Sequence, residues 1–123
     1  MAQSELQLQA ECFQWAWNYY PETRLCLWHV TNEMKPYPTE QHAAFKTRIA
    51  KAKAAGLVPG VFDLHFFWDK EFHVFELKVE YNKLSDSQIK FQAKMILHGA
   101  FTYEIRELET FQRIFLTIIN DKS

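Results

Sequence analysis

Two neighbouring stretches, 61–68 and 72–81, constrain the fold most, because apolar and polar residues alternate in both. A period of two is typical of β-strands with one buried face. A tight turn at residues 69–70 separates the stretches, so they are predicted to form an antiparallel hairpin. Its apolar side is predicted to consist of Phe62, Leu64, Phe66 and Trp68 in the first strand and Phe75, Leu77, Val79 and Tyr81 in the second.

The other side of the hairpin carries Asp63, Glu76 and Lys78. A two-residue turn at 69–70 sets Asp63 opposite Glu76, and a turn shifted by one residue sets it opposite Lys78. Either register brings the three together, with facing Cβ atoms about 4.5–5.5 Å apart. One interpretation is a cross-strand salt bridge on a solvated face. The other is a Mg²⁺ site, in which the carboxylates and the Leu77 backbone carbonyl hold an ion that activates a water, while Lys78 stabilises charge on the phosphate.

Start and stop signals predict four helices and two further strands around the hairpin. Ser4 with Gln7 and Ser85 with Gln88 have the spacing of a capping box. Thr39 is the predicted N-cap of the second helix, and Gly56 ends that helix. In the first helix, four large residues share one predicted core face: Leu6, Phe13, Trp17 and Tyr20.

The predicted elements follow the order α-β-α-β-β-α-β-α. The helices are expected at about 4–20, 39–55, 85–98 and 109–119, and the outer strands at 24–30 and 101–106. This order predicts one α/β domain over residues 1–123, with a mixed sheet flanked by helices on both faces.

Composition limits the possible environments. Hydrophobic residues make up 48% of the 123 residues, which favours a packed core. The formal net charge of -1 gives no global sign of a nucleic-acid partner. Cys12 and Cys26 match neither a metal nor a redox spacing, and no apolar run is long enough to span a membrane. A cytoplasmic protein is therefore expected.

Several motifs resemble one known family. Residues 60–64 (GVFDL), 75–78 (FELK) and 85–88 (SDSQ) are similar, in this order, to signature blocks of the VRR-NUC (virus-type replication-repair nuclease) family of the PD-(D/E)xK nuclease superfamily. The opening helix, the strand end 29–32 and the segment 53–60 are also similar to that family. The resemblance covers roughly residues 4–110, and it implies a restriction-endonuclease-like fold. A D…ExK string alone is common by chance, whereas the ordered blocks are specific.

The resemblance also implies roles for individual residues. Asp63 and Glu76 would be metal ligands, and Lys78 would be catalytic. Glu5 would face the site as a further ligand. Gln88 would contact DNA or an active-site water. Two departures from the family pattern are Phe62, in place of a proline, and residues 33–36, in place of a glycine-containing turn.

The supporting residues can also be explained by structural roles alone. A carboxylate such as Glu5 is favoured in any first helical turn, and Gln88 is explained by its capping box. The basic run of 46–53 is typical of a solvated face, although Lys53 is predicted to contact a DNA phosphate, as is the polar residue Asn32. Further candidates are weaker: His65 for zinc, and Trp28 and Tyr37 for stacking on bases.

The predicted function is a Mg²⁺-dependent DNA endonuclease, with Mn²⁺ as a substitute ion. Branched DNA such as a Holliday junction, in phage or bacterial replication, repair or recombination, is the expected substrate. Alternatives are a cleavage-incompetent DNA-binding module of the same fold and a nuclease for flaps or single strands. Symmetric cleavage of a junction needs two sites related by a two-fold axis, which predicts a homodimer. Phe111, Phe115 and neighbouring apolar residues of the last helix are the predicted interface residues. The alternative is that this helix packs on the sheet and the enzyme works alone on flaps or ends.

Overall fold

A computed structural model describes residues 3–121. The elements are α1 (Glu5–Tyr19), a short 3₁₀ helix (Pro21–Thr23), β1 (Leu27–His29), α2 (His42–Ala54), β2 (Leu64–Trp68), β3 (Glu71–Leu77), α3 (Asp86–Leu97), β4 (Phe101–Ile105) and α4 (Leu108–Asn120). The strands form one sheet in the order β1-β2-β3-β4, in which only β3 and β4 are parallel. The predicted mixed α/β sheet flanked by helices is confirmed. Over residues 3–121, no helix has the length and apolar character needed to cross a membrane.

The hairpin of β2 and β3 has the first of the two predicted registers, with its turn at residues 69–70. Asp69 and Lys70 both have positive φ angles, 49° and 66°, and Trp68 pairs with Glu71. Such a two-residue turn matches the twist of the flanking strands. The second strand is shorter than predicted, because the chain leaves the sheet after Leu77. Tyr81 is 95% exposed, so its predicted place on the apolar side is wrong.

The main core lies between one face of the sheet and the helices α1 and α4. Helix α1 contributes Leu8, Cys12 and Ala16 to this core, and these residues lie four positions apart on one side of the helix. The predicted core face of α1 is therefore wrong in part, since Leu6 is 71% and Trp17 40% exposed. Small side chains let the helix axis approach the sheet closely, whereas large rings facing the sheet would hold it away.

Helix α4 completes this core with two fully buried rings. Phe115 stacks 4.7 Å from Phe66, and the centroid of Phe111 lies 5.0 Å from that of Phe75. Both phenylalanines therefore belong to the interior of one chain. Their prediction as residues of a dimer interface is wrong, because they have no surface to offer a second copy.

Helix α3 packs against the opposite face of the sheet. Its Phe91 lies 5.3 Å from Phe62 and stacks on His65, and Gln92 donates to the Thr102 hydroxyl. Phe62 was predicted to share the side of Leu64, but it contacts α3 instead. Phe62 precedes β2, so the alternation of side chains along that strand does not determine which way Phe62 faces.

Helix α2 is attached differently from the other helices. It begins at His42 rather than after Thr39, because the preceding chain turns where Glu40 N–H donates to the Tyr37 carbonyl. All residues of α2 are described, and none is buried. Arg48 ties the helix down: it stacks 4.1 Å over the Tyr37 ring, and it donates to the Glu40 carboxylate and the Lys35 carbonyl. We call this set the Arg48 clasp.

We expect Gly60→Ala to destabilise the protein more than Gly99→Ala. Both glycines have φ near +90°, which costs an alanine about 1–2 kcal/mol. A Cβ on Gly60 would also meet the Ser87 carbonyl oxygen at 2.4 Å, whereas one on Gly99 would meet nothing within 4 Å. Urea denaturation should show at least about 1 kcal/mol of additional loss for Gly60→Ala. Equal losses would mean that the contact between this glycine and α3 is unimportant.

Candidate functional site

Asp63 lies at the open end of the hairpin, opposite Glu76 in the register that pairs Leu64 with Phe75. Its carboxylate accepts hydrogen bonds from the Leu77 N–H (3.1 Å) and the Asn32 amide (3.2 Å). Its backbone carbonyl accepts from the Val30 N–H, and His29 Nδ1 donates to the same oxygen at 2.8 Å. Both the main chain and the side chain of Asp63 are therefore held in place.

Glu76 is almost completely buried, with 2% of its surface exposed. Its Oε2 accepts from Gln88 Nε2 at 2.9 Å and lies 3.8 Å from Lys78 Nζ. Its Oε1 is buried and has no hydrogen-bond partner among the described residues. Lys78 is itself only 9% exposed. The polar side of the hairpin is thus not the solvated face that a simple salt bridge was expected to occupy, because the loop before β2 and α3 cover it.

The buried Glu76 and the half-buried Asp63 perturb each other's protonation. Burial, followed by the negative charge of Asp63, raises the pKa of Glu76 to about 9, although Lys78 opposes the shift. Burial also raises the pKa of Asp63, against hydrogen bonds from Leu77 and other groups. The pair therefore retains a proton at neutral pH when no other cation is present.

Two adjoining cavities open beside the pair. The smaller, of about 160 Å³, is lined by Glu5, Asn32, Glu33, Pro59, Gly60, Asp63, Glu76, Lys78, Ser85, Ser87 and Gln88. The larger, of about 510 Å³, shares Glu5, Asn32, Glu33 and Asp63 with it and extends along His29, Lys35 and Asn82. We call the larger cavity the acidic groove. Glu5 therefore lies at the site, where its carboxylate accepts a hydrogen bond from the Asn82 amide at 2.9 Å.

The donor atoms fit a hard divalent cation. Glu76 Oε1 lacks a partner, and each Asp63 oxygen accepts one hydrogen bond and so keeps a second lone pair. Within residues 3–121, no group of three or more His, Cys, Asp and Glu side chains is arranged to hold a metal. Two protein carboxylates completed by water suit Mg²⁺, which keeps several waters. The Leu77 carbonyl remains a predicted ligand, since the observed contact of Leu77 is made by its N–H.

The supporting residues divide into those that reach the site and one that does not. Gln88 completes the predicted capping box of Ser85 and also donates to Glu76, while its contact with DNA or an active-site water stays a prediction. The Asn32 amide is directed at the Asp63 carboxylate and the Val61 carbonyl, so it orients the loop as well as the acid. Lys53 is exposed in the last turn of α2 and lies outside the cavity linings given above.

Sequence reasoning missed two contacts of the site. His29 was predicted only as part of a polar strand end, and its bond to Asp63 follows from the pairing of β1 with β2. Asn82 was not predicted at all. It holds Glu5 from a position 77 residues away in the chain, and no local pattern signals such a contact.

We expect Glu76→Gln to gain stability relative to the wild type as pH rises in metal-free buffer. The pKa of Glu76 in the folded protein is above its ordinary value of 4.5, so the unfolded chain loses this proton first. The stability that the proton supplies is complete below about pH 4.5. It falls by up to about 1.4 kcal/mol per pH unit and is lost as pH rises through about 9.

Denaturation of both proteins from pH 5 to 9 measures this difference, and Mg²⁺ should reduce the loss in the wild type. Glu104→Gln is the matched control, because Glu104 pairs with Glu76 across β3 and β4 but lies exposed. A constant stability difference between Glu76→Gln and the wild type across the pH range would contradict the raised pKa.

Comparison with known proteins leaves the site to be judged on its own chemistry. No protein-family model, no curated protein and no solved structure matches this chain. The resemblance to the VRR-NUC family therefore stays a prediction based on the motif residues.

Proposed function

We propose that this protein is a Mg²⁺-dependent DNA endonuclease with a restriction-endonuclease-like fold, in which Asp63, Glu76 and Lys78 form the active site. One observation carries the proposal: Glu76 is buried opposite Asp63 and leaves its Oε1 without a partner. A buried carboxylate costs free energy unless it is fully paired, and one lysine at 3.8 Å does not pair two carboxylates. A divalent cation at this place would replace the proton that the pair otherwise retains.

The proposed roles follow from the position of each group. Asp63 and Glu76 would hold the ion, with the Leu77 carbonyl as a further ligand. The chemistry supplied by such an ion is Lewis-acid catalysis, which lowers the pKa of water and offsets phosphate charge. Lys78 lines the same cavity and would donate hydrogen bonds to the attacking water and to the developing charge on the phosphate. Mn²⁺ is expected to substitute for Mg²⁺.

Neighbouring residues would act by positioning these groups. Gln88 fixes Glu76 through Oε2 and thereby leaves Oε1 for the ion. Asn32 and the Leu77 N–H orient the two oxygens of Asp63. Glu5, held by Asn82, lines the same cavity and would be a further ligand. Gln88 and Asn32 also line the cavity, where they would contact DNA.

The proposed substrate is branched DNA, such as a Holliday junction, in phage or bacterial replication, repair or recombination. One site of this kind cuts one strand, so symmetric cleavage requires a homodimer. Because Phe111 and Phe115 are buried within one chain, the two copies would meet through other residues.

A cleavage assay tests the proposal directly. The purified protein would be incubated with Mg²⁺ or Mn²⁺ and with linear, flapped and four-way DNA, and light scattering would give its oligomeric state. We expect cleavage of at least one branched substrate and its loss in EDTA. Binding without cleavage of any substrate would support the cleavage-incompetent module instead.

We expect Lys78→Met to reduce the single-turnover cleavage rate by at least about 100-fold, because the donor to the transition state is lost. Methionine retains most of the buried stem, which matters because Lys78 is only 9% exposed. Mn²⁺ affinity, measured by titration calorimetry, should be retained. Lys94→Met, on the exposed surface of α3, is the control. A Lys78→Met protein that cleaves at the wild-type rate would exclude a catalytic role for this lysine.

Gln88→Glu separates the two roles of Gln88. Glutamate retains the capping box but replaces the amide donor to Glu76 with a negative charge. We expect normal helix content and at least a tenfold lower cleavage rate at saturating metal. Gln7→Glu, at the same position in the capping box of α1, should cleave normally. If both variants cleave normally, the hydrogen bond between Gln88 and Glu76 has no part in the reaction.

A further inference from the structure

Helix α2 carries an unusual concentration of positive charge. Its thirteen residues contain Lys46, Arg48, Lys51 and Lys53 and no acid. These are four of the fourteen Lys and Arg residues in a chain whose net charge is -1. All three lysines are exposed, and α2, which is described in full, buries no side chain. The helix therefore offers a cationic surface that packing within this chain does not use.

The candidate active site has the opposite electrostatic character. Four carboxylates line its two cavities, against two lysines; they are Glu5, Glu33, Asp63 and Glu76, against Lys35 and Lys78. A polyanion such as DNA is not attracted to such a surface by long-range electrostatics. A proton or a divalent cation on the carboxylate pair offsets this negative charge but does not make the lining strongly positive, so a separate basic surface would supply the attraction for a DNA strand.

The Arg48 clasp connects α2 to the rim of the acidic groove. Arg48 Nη2 donates to the Lys35 carbonyl at 3.0 Å, and Lys35 lines the groove. At its other end α2 leads through residues 55–62 to Asp63, and Gly60 of this segment lies against Ser87 of α3. The cationic helix is thus tied to the rim of the acidic groove through Arg48, and the chain that follows it passes along the smaller cavity, which Gly60 and Ser87 line.

Within α2 the charges are not equivalent. Phe45, Arg48, Ile49 and Ala52 form its half-buried side. Helical geometry puts Lys46 and Lys53 on the same flank of that side, about 10 Å apart along the axis, and Lys51 on the other flank. The ion pairs within residues 3–121 include Arg48 but neither Lys46 nor Lys53. Two aligned lysines can contact phosphates of one strand together.

We propose that α2 is a docking arm for the phosphate backbone of duplex DNA, which binds through Lys46 and Lys53 and holds the duplex across the acidic groove. This inference rests on the proposed function, since it names the surface by which the substrate of that site is captured. Lysine contacts to phosphate position a duplex without reading its sequence. The arm therefore supplies affinity, while Asp63, Glu76 and Lys78 beside the groove supply the chemistry.

The test is the salt dependence of DNA binding. Anisotropy of a labelled duplex would be measured over a series of KCl concentrations in EDTA, where no cleavage occurs. Each phosphate contact that is lost lowers the slope of log K against log[KCl] by about 0.9, so K46Q/K53Q should lower it by about 2. Its affinity at low salt should fall at least tenfold. The matched control is K70Q/K94Q, which removes two exposed lysines from the hairpin turn and α3 and should retain the wild-type slope.

The outcomes separate the arm from the nuclease. If K46Q/K53Q shows the predicted loss of slope but the wild-type protein never cuts DNA, the result would contradict the nuclease and support the docking arm. A protein that cuts DNA, with equal slopes for the two double variants, would overturn the arm alone. Failure of the wild type to bind the duplex at low salt would overturn the arm as well. All four lysines are exposed, so both variants should melt near the wild-type temperature.

Discussion

A buried glutamate that faces a half-buried aspartate beside a single lysine is the constraint on which the rest of this structure depends. Asp63 and Glu76 repel each other, and burial strengthens that repulsion because little water screens it. Hydrogen bonds from Leu77, Asn32 and Gln88 offset part of the cost. The remaining cost is met by a proton, which the raised pKa of Glu76 retains, or by a cation in the proposed function.

The surrounding backbone holds Asp63 and Glu76 in this facing arrangement. The tight turn of the hairpin fixes Asp63 opposite Glu76. The capping box of α3 fixes Gln88, and Gly60 lets the loop before β2 lie directly against the first turn of that helix. The turn, the capping box and the glycine contact are each local features, and each depends on backbone geometry more than on side-chain volume. The core beneath the sheet then holds these parts rigidly, since its rings interdigitate at 4.7–5.0 Å.

Much of the fold could be predicted from the sequence, because the signals are local. Alternation gave the hairpin, and the spacing of Ser and Gln gave two capping boxes that the structure confirms. Some of the wrong predictions concern the ends of elements, such as the start of α2 and the place of Tyr81, and the others concern packing between distant segments. Phe111 and Phe115 proved to be core residues, and the core face of α1 is lined by Leu8, Cys12 and Ala16. Apolar content alone does not show whether a ring meets its own sheet or a partner.

By itself, the sequence determined which polar residues share one side of the hairpin, since a strand's period of two assigns Asp63, Glu76 and Lys78 to it. Only the tertiary structure decided that this side is buried, that Glu76 Oε1 lacks a partner, and that α2 stays outside the core. The physical reason is that periodicity fixes the direction of a side chain relative to its own strand. Which segment covers that side depends on contacts between residues far apart in the chain.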